Sequence, residues 1–160
     1  MSLEHELGLP NPLKNRPQEA LLNVVLTGTL LAKEGDRLLR PLGLTDAQLN
    51  ILMLLKYQSD GGKLNQTRLG RMLLVNRANV TGLVDRMEQA GWVERTPDAE
   101  DRRVKQVRLT AAGRRVLERA GKVYFARVEE VMGVLSSNEH RALCRMLERV
   151  RDHLRGAQGG

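Results

Sequence analysis

The most informative part of the sequence runs from Asn65 to Thr110 and reads NQTRLGRMLLVNRANVTGLVDRMEQAGWVERTPDAEDRRVKQVRLT. Its first half has the spacing of two short helices joined by a turn, and its second half has the pattern of two strands joined by a charged tip rich in turn-forming residues. A pair of helices followed directly by a hairpin is the outline of a winged helix-turn-helix. That outline favours nucleic acid over other classes of partner.

The second helix of the pair is predicted to run from Asn76, which can cap its first turn, to Ala90, since Gly91 tolerates the left-handed conformation that ends a helix. Apolar spacing predicts one buried face, made of Val80, Leu83, Val84 and Met87. The other face is polar and cationic and suits a major groove, because Asn and Arg pair with adenine and guanine edges and Thr touches the thymine methyl. Its members are Arg77, Asn79, Thr81, Gly82 and Arg86, and the small residues Ala78 and Gly82 would let the backbone come close. A solvated helix face is the alternative interpretation.

The hairpin that follows is interpreted as the wing. Residues 92–95 and 104–109 have the composition of strands, and residues 96–103 form the tip. Arg102 and Arg103 at the tip could enter a minor groove, whose negative potential attracts guanidinium groups. The alternative is a solvated turn in which acids and bases pair, and we favour it for the three acids of the tip. The second strand is predicted to turn two side chains inward, Val107 and Leu109.

The positive charge is concentrated in the same region. Between Lys63 and Arg115 the chain has twelve Lys or Arg and six Asp or Glu, a net charge of +6, whereas the whole chain carries +7. One third of the sequence therefore holds nearly all of the net charge. Such a concentration is typical of a surface that displaces counterions from phosphate, rather than of a generally basic protein.

Composition limits the other functional classes. The 160 residues include one cysteine and four aromatic residues, which excludes an internal disulfide and leaves little for the base stacking of single-strand and RNA binders. Duplex DNA is therefore the favoured nucleic acid. No apolar run approaches the ~18 residues of a membrane span and no signal peptide is visible, so we expect a cytoplasmic protein with no membrane partner.

No catalytic residue, cofactor or metal is expected. His140 and Cys144 are four residues apart on one predicted helix, a spacing that could meet a metal or activate a thiol, but no third ligand or orienting acid follows at a regular interval. A glycine-rich phosphate loop is absent from the sequence. Cys144 lies within an apolar stripe, so we interpret it as a small buried residue rather than a redox sensor.

Long helices flank the central stretch and define the domains. Residues 42–110 form the predicted DNA-binding domain, residues 17–41 and 111–155 form helices with apolar stripes, residues 1–16 form a flexible arm and residues 156–160 a disordered tail. Such stripes become buried when helices pair, so dimerisation is their natural use, although a monomer that packs them internally stays open. The fold class is mainly α with a small β-wing: a winged helix-turn-helix with N- and C-terminal dimerisation helices.

Capping signals predict where the helices begin. The predicted caps are Asn15, with Pro17 in the first turn, the Thr45–Gln48 capping box, Asn65, Thr110 and the Ser136–Glu139 capping box. The helix after Asn65 is predicted to end at Leu74, and the helix after Thr110 near Leu135.

With these residues laid out, the chain resembles the MarR family of bacterial transcription regulators. The resemblance covers nearly everything from Pro17 to Leu154. It is carried by LTDAQ at 44–48, NVTGLVDRME at 79–88, GWVER at 91–95 and, most specifically, DRR at 101–103 followed by VRLTAAG at 107–113.

The resemblance implies a homodimer whose terminal helices interleave and hold two winged domains over a pseudo-palindromic operator, with half-sites about 10 bp apart. In the family, an aspartate of the recognition helix pairs with a wing arginine, and the matching residues here are Asp85 and Arg103. Family members commonly bind small anionic or phenolic compounds between the dimer helices and the winged domain, which weakens DNA binding. Candidate anchors for an acid in that cleft are Lys33, Arg37, Arg40 and Lys56, and the ligand-binding residues stay unassigned.

These observations predict a dimeric, sequence-specific transcription repressor that a small molecule releases from double-stranded DNA. The alternative is a winged-helix module that coats DNA non-specifically or contacts protein. The residues predicted to contact DNA are Asn65, Gln66, Thr67, Arg71, Arg77, Ala78, Asn79, Thr81, Gly82, Arg86, Arg102 and Arg103.

Overall fold

The computed structural model describes residues 2–59, 61–73, 80–98 and 104–157. It is mainly helical with one small antiparallel sheet, which confirms the predicted fold class. The chain forms two compact units, Met1–Gly121 and Lys122–Gly160. The described part of the first unit holds all the strands, and the described part of the second consists of helices and turns.

The elements follow one another in chain order. Before the sheet lie α1 (Leu3–Leu7), α2 (Arg16–Leu39), a short 3-10 helix (Arg40–Leu42) and α3 (Asp46–Tyr57). The winged part consists of β1 (Lys63–Asn65), α4 (Gln66–Met72), α5 (Val80–Gln89), β2 (Val93–Pro97) and β3 (Lys105–Leu109). The last two helices are α6 (Ala111–Met132) and α7 (Ser137–Gly156).

The segment predicted to be a flexible arm contains a helix, α1. Leu3 on this helix is buried, at 7% exposure, and α1 packs against α2. The Glu4 carboxylate accepts a hydrogen bond from the backbone N–H of Leu13 at 3.4 Å, which ties down the segment that follows the helix. A helix of five residues with one buried leucine is too short to produce a periodic pattern, so the sequence carried no signal for it.

Side-chain caps open α2 and α3 at the predicted residues. Asn15 Oδ1 accepts a hydrogen bond from the N–H of Gln18 at 3.1 Å. At α3 both halves of the capping box form, since Thr45 Oγ1 accepts from the N–H of Gln48 at 3.3 Å and Gln48 Oε1 accepts from the N–H of Thr45 at 2.9 Å. Each cap satisfies backbone donors that the first turn of a helix leaves free. Both predicted starts are confirmed.

The sheet has a third strand that the sequence pattern does not predict. β1 lies directly before α4 and pairs antiparallel with β3, which gives the strand order β1-β3-β2. Leu64 lies opposite Val107, and both are buried. A strand of three residues shows too little alternation to be detected. The predicted hairpin is confirmed, with Val93 opposite Leu109 and both of these side chains in the core.

α4 and α5 are the predicted helix pair, and α5 packs against α3, α4 and β2. α4 ends at Met72 rather than at Leu74, because Leu73 leaves the helix in an extended conformation and is buried. The start of the second helix, predicted at Asn76, lies outside the described residues. Gly91 ends that helix with φ of 72°, as predicted. The four apolar residues predicted for the core face are all buried: Val80, Leu83, Val84 and Met87.

Thr110 joins α6 to the wing. Its Oγ1 accepts a hydrogen bond from the N–H of Gly113 at 3.0 Å, which confirms the predicted cap. The same hydroxyl donates to the carbonyl oxygen of Gly91 at 2.6 Å, and the backbone N–H of Thr110 donates to the carbonyl oxygen of Trp92 at 3.1 Å. One residue thus connects the end of α5, the start of β2 and the first turn of α6.

α6 ends at Met132, three residues before the predicted end at Leu135. Gly133 closes the last turn by donating its N–H to the carbonyl oxygen of Glu129 at 2.8 Å, and residues 133–135 then form a turn. Leu135 keeps the apolar spacing of the stripe although the backbone has already left the helix. The prediction from apolar periodicity alone therefore places the end of the helix too late.

α7 opens with the second predicted capping box, in which Ser136 Oγ accepts from the N–H of Glu139 at 3.4 Å and Glu139 Oε2 accepts from the N–H of Ser136 at 2.7 Å. The helix includes Gly156, the first residue of the predicted tail, and residues 158–160 lie outside the described part. None of its residues is buried. Cys144 is exposed and not buried as predicted, because α7 is not packed into a core within the described part of the chain. None of the described helices is both long and apolar enough to cross a membrane.

Candidate nucleic-acid interface

The residues predicted to contact DNA fall into two groups. Seven lie in the described part of the chain: Asn65, Gln66, Thr67, Arg71, Thr81, Gly82 and Arg86. The other five lie outside the described residues, and their roles stay predictions: Arg77, Ala78, Asn79, Arg102 and Arg103.

Asn65 has a structural task at the start of α4. Its Oδ1 accepts a hydrogen bond from the backbone N–H of Arg68 at 2.7 Å, and the residue is half-buried. Its amide oxygen is therefore used as a helix cap. The side-chain NH₂ is the group that stays available to DNA.

α4 presents a polar and cationic outer side. Thr67, Arg68 and Arg71 are exposed, and neither arginine has an ion-pair partner among the described residues. Residues three apart lie on the same side of a helix, so the two guanidinium groups share one surface. Unpaired guanidinium groups on one surface are suited to phosphate contact.

A hydrogen bond joins α4 to α5 at the predicted reading surface. The side-chain amide of Gln66 donates from Nε2 to Thr81 Oγ1 at 2.6 Å. Gln66 is the first residue of α4 and is half-buried, whereas Thr81 lies on the exposed side of α5. Two residues that the sequence predicts as DNA contacts therefore contact each other.

Two more predicted contacts lie farther along α5. Arg86 is exposed, as predicted, whereas Gly82 is half-buried. Both lie on the side of the helix opposite its four buried residues, which agrees with the predicted separation of polar and apolar faces.

An arginine of β2 that the sequence pattern did not single out holds α5 and the wing together. The side chain of Arg95 is only 18% exposed, and its guanidinium donates from Nη2 to Asp85 Oδ1 at 2.6 Å and from Nη1 to Glu88 Oε2 at 2.5 Å. The backbone N–H of Arg95 also donates to Glu88 Oε1, at 2.8 Å. The sequence pattern that could have indicated this cluster is the pair Asp85 and Glu88, one helical turn apart, followed by an arginine in the next strand. Arg103, the predicted partner of Asp85, lies outside the described residues, so that pairing stays a prediction.

The electrostatics of this cluster favour the charged guanidinium. Partial burial by itself lowers the pKa of Arg95, but the hydrogen bonds and negative charges of Asp85 and Glu88 outweigh that effect and raise the pKa above its ordinary value. The two carboxylates therefore stabilise the protonated form of the guanidinium. Because Arg95 belongs to β2 and both acids belong to α5, the cluster fixes the strand against the recognition helix.

Most of the cations of the charged region are exposed on the surface. One pairs across the sheet, since Arg108 Nε lies 2.9 Å from Glu94 Oε1. Arg95 is half-buried, and three cations lie outside the described residues. The eight that are exposed are Lys63, Arg68, Arg71, Arg86, Lys105, Arg108, Arg114 and Arg115.

The described residues contain no group of three or more His, Cys, Asp or Glu side chains that could hold a metal ion. Within the second unit, His140 Nε2 lies 2.8 Å from the carbonyl oxygen of Met132. This imidazole therefore joins α7 to the end of α6.

An open groove of about 510 Å³ lies between α3 and α4. Its lining is apolar with an amide rim and contains none of the cations predicted to anchor an acidic ligand. Arg37, one of those cations, forms an ion pair with Glu34 at 2.7 Å. The ligand-binding residues therefore stay unassigned. The groove is lined by Asn50, Met53, Leu54, Tyr57, Gln58 and Met72.

Sequence comparison identifies related proteins. Residues 42–104, which include α3, α4, α5 and β2, match the family model described as MarR family. The transcriptional activatory protein BadR of Rhodopseudomonas palustris is 33% identical over 135 residues, which span 82% of this chain and 75% of that protein.

Two solved structures have the same fold over most of the chain. AbsC, a MarR family transcriptional regulator from Streptomyces coelicolor, is 25% identical, with a TM-score of 0.82 over 91% of this chain and 99% of that one. Sco3205, a MarR family transcriptional regulator from the same organism solved in complex with DNA, is 26% identical, with a TM-score of 0.81 over 89% and 94% of the two chains. Because the sequence, the helix pair and the wing all agree over most of the length, the chain belongs to the MarR family of transcription regulators.

Proposed function

We propose that this chain is a homodimeric, sequence-specific repressor in the cytoplasm, which a small anionic or phenolic compound releases from a pseudo-palindromic operator. The observation that carries the proposal is the separation of faces on α5, where Val80 and Val84 are buried while Thr81 and Arg86 are exposed. A polar, cationic helix face that is held on a packed core has the chemistry to read base edges in a major groove.

The exposed cations supply the affinity that does not depend on sequence. Eight of them lie on the surface of the charged region, including Arg68 and Arg71 beside the recognition helix. Contacts to phosphate fix the register and orientation of a protein on the duplex, and contacts to bases then select the sequence. The DNA complex of Sco3205 supports the same use of the fold in this chain.

Uncovered apolar side chains support the homodimer. On α2, Leu21 and Val25 are 61% and 56% exposed, and on α7, Val150 and Leu154 are 55% and 57% exposed. Fully burying one such side chain is worth about 1.5–3 kcal/mol, so two long uncovered stripes favour association with a second copy. Two linked winged domains would then contact two half-sites about one DNA turn apart.

Two parts of the proposal concern regulation, namely repression of transcription and release from DNA by a ligand. A dimer bound across a promoter blocks the polymerase, but BadR is described as an activatory protein, so the position of the operator decides the direction of regulation. A ligand releases the protein from DNA if it binds preferentially to a conformation of the dimer in which the spacing of the two winged domains does not fit the half-sites. The family resemblance supports a small anionic or phenolic compound in this role.

Selection of duplex DNA from a random pool by the full-length protein tests the proposal. We expect an enriched inverted repeat, bound by two chains, with an affinity ~10³-fold or more above that for a shuffled duplex at physiological salt. Arg86→Ala should weaken binding to the enriched duplex by about 1–3 kcal/mol, whereas Gln89→Ala, on the same helix, serves as the matched control. Equal affinity for both duplexes would refute the proposal and favour a module that coats DNA non-specifically. Binding of neither duplex would favour a protein partner.

A further inference from the structure

The hydrogen bond between Gln66 and Thr81 constrains one side chain of the recognition helix. It joins residues fifteen positions apart in the chain and on different helices, at 2.6 Å. The side-chain amide nitrogen of Gln66 can only donate, so the hydroxyl oxygen of Thr81 is the acceptor. Oγ1 of Thr81 is thereby held towards α4.

Threonine in a helix needs such a constraint to adopt a single rotamer. Its side chain divides between two χ1 rotamers, because the hydroxyl can also bond to a carbonyl of the preceding turn. The bond from Gln66 stabilises the rotamer that points Oγ1 towards α4. Of the two γ substituents of Thr81, the methyl group is then the one left free for a partner outside the protein.

We propose that Gln66 is a positioning residue that presents the γ-methyl group of Thr81 to the C5-methyl group of a thymine in each half-site. The inference rests on the proposed function, because it requires a specific operator. Thymine is the base that offers an apolar group in the major groove, so a methyl group held on the exposed side of α5 selects it. Gln66 itself need not touch the DNA.

Replacing single thymines by uracil in the selected operator tests the contact, because uracil lacks only the C5-methyl group. We expect one thymine per half-site at which the change weakens binding by about fourfold, the factor that follows from losing the burial of one methyl group. Thr81→Ser, which keeps the hydroxyl and loses the methyl group, should abolish that penalty. Valine has a methyl group at each of the two positions that the threonine methyl group can occupy in a helix, so Thr81→Val should preserve the penalty.

The role of Gln66 is tested through the same uracil penalty. Gln66→Ala lets Thr81 divide between its two rotamers, so the penalty at that thymine should shrink. In the Thr81→Val background, Gln66→Ala should leave the penalty unchanged, because valine keeps one dominant rotamer in a helix without help. A general loss of stability would affect both backgrounds alike. Gln89→Ala is the matched control and should leave the penalty intact.

The outcomes separate this inference from the proposed function. Two outcomes would overturn the inference and leave the proposed function standing. In the first, the protein has a specific operator but no thymine shows a uracil penalty. In the second, Gln66→Ala leaves the penalty unchanged in the protein that retains Thr81. Loss of the penalty in Thr81→Val but not in Thr81→Ser would mean that the hydroxyl reads the base, which also overturns it. If no sequence is enriched at all, the proposed function fails and the inference fails with it.

Discussion

The carbonyl oxygen of Trp92 occupies the space beside Gly113, so that a Cβ atom added to this glycine would lie 1.9 Å from the oxygen and 2.9 Å from the carbonyl carbon. Both of these atoms are backbone, and the Trp92 carbonyl also accepts the N–H of Thr110. The first turn of α6 can therefore lie against the start of β2 only while residue 113 has no side chain.

Gly113→Ala should destabilise the protein strongly. The new methyl group would force α6 away from β2, and overpacking of this kind costs about 1–3 kcal/mol or more. The measurement is denaturant unfolding at a fixed protein concentration. Gly156→Ala is the matched control, because an added Cβ atom at Gly156, the last residue of α7, meets nothing within 4 Å. That change should be neutral or stabilising, by up to about 1 kcal/mol. Equal effects of the two substitutions would contradict the argument.

Arg95→Ala should cost about 1–3 kcal/mol of unfolding free energy, because it removes two side-chain hydrogen bonds and leaves Asp85 and Glu88 as like charges one turn apart. Arg95→Lys should restore only part of this, since an ammonium group cannot reach two carboxylates as a planar fork does. Arg108→Ala is the control on the neighbouring strand. Its pair with Glu94 is about half exposed on both sides, so its loss should cost no more than about 1 kcal/mol. A larger loss for Arg108→Ala than for Arg95→Ala would refute the prediction.

Arg71→Ala should weaken operator binding without changing sequence preference. If this exposed guanidinium neutralises one phosphate, the slope of log affinity against log salt should fall by about one unit. Fluorescence anisotropy titrations at several salt concentrations measure the slope. Arg151→Ala, at an exposed position of α7 outside the charged region, should leave the slope unchanged. A changed preference among operator variants would mean that Arg71 reads a base.

Val150→Glu should separate the proposed dimer, because it places a carboxylate in the apolar stripe of α7. Size-exclusion chromatography with light scattering should detect monomers, and operator affinity should fall because a single winged domain contacts only one half-site. Arg145→Glu introduces the same carboxylate at an exposed position away from the stripe, and this variant should remain dimeric. A dimeric Val150→Glu protein would place the interface elsewhere.

The start of α7 should respond to acid. The hydroxyl of Ser136 and its backbone N–H donate to Glu139 and lower the pKa of this carboxyl below its ordinary value. A lowered pKa means that the folded state favours the charged form. The stabilisation is therefore complete above the unfolded pKa of about 4.3 and is lost as the pH falls through the lower folded value.

Glu139→Gln should reduce this acid sensitivity of unfolding, measured by circular dichroism between neutral pH and about pH 3. Glu148→Gln, which removes a carboxylate from the same helix without touching the cap, is the control and should retain the wild-type response. If both variants lost the same amount of acid sensitivity, the cap would not be its source.

The features predicted correctly from the sequence depend on residues close together in the chain. Thr45 and Gln48 are three residues apart, and the caps at Asn65 and Ser136 likewise involve near neighbours, so the sequence alone specifies them. The four buried residues of α5 recur within two helical turns. Such signals are independent of the rest of the fold.

The features that escaped prediction depend on distant residues. β1 exists because β3, more than forty residues later, offers a pairing edge, and the Arg95 cluster exists because β2 returns alongside α5. The hydrogen bond of Gln66 to Thr81 requires the angle between two helices, which no short pattern specifies. The end of α6 was misplaced for the opposite reason, because the apolar spacing continues to Leu135 after the backbone has turned.

The two-sided character of α5 makes it a replaceable cassette for protein engineering. Its buried residues meet α3, α4 and β2, so they carry the stability, and the outer positions can be randomised without disturbing that packing. Asp85 and Glu88 are exceptions because both are tied to Arg95, and Thr81 accepts a hydrogen bond from Gln66 of α4. A library that varies Arg86, together with the pair Thr81 and Gln66, while retaining Asp85 and Glu88 would therefore explore new operator sequences with the buried packing unchanged.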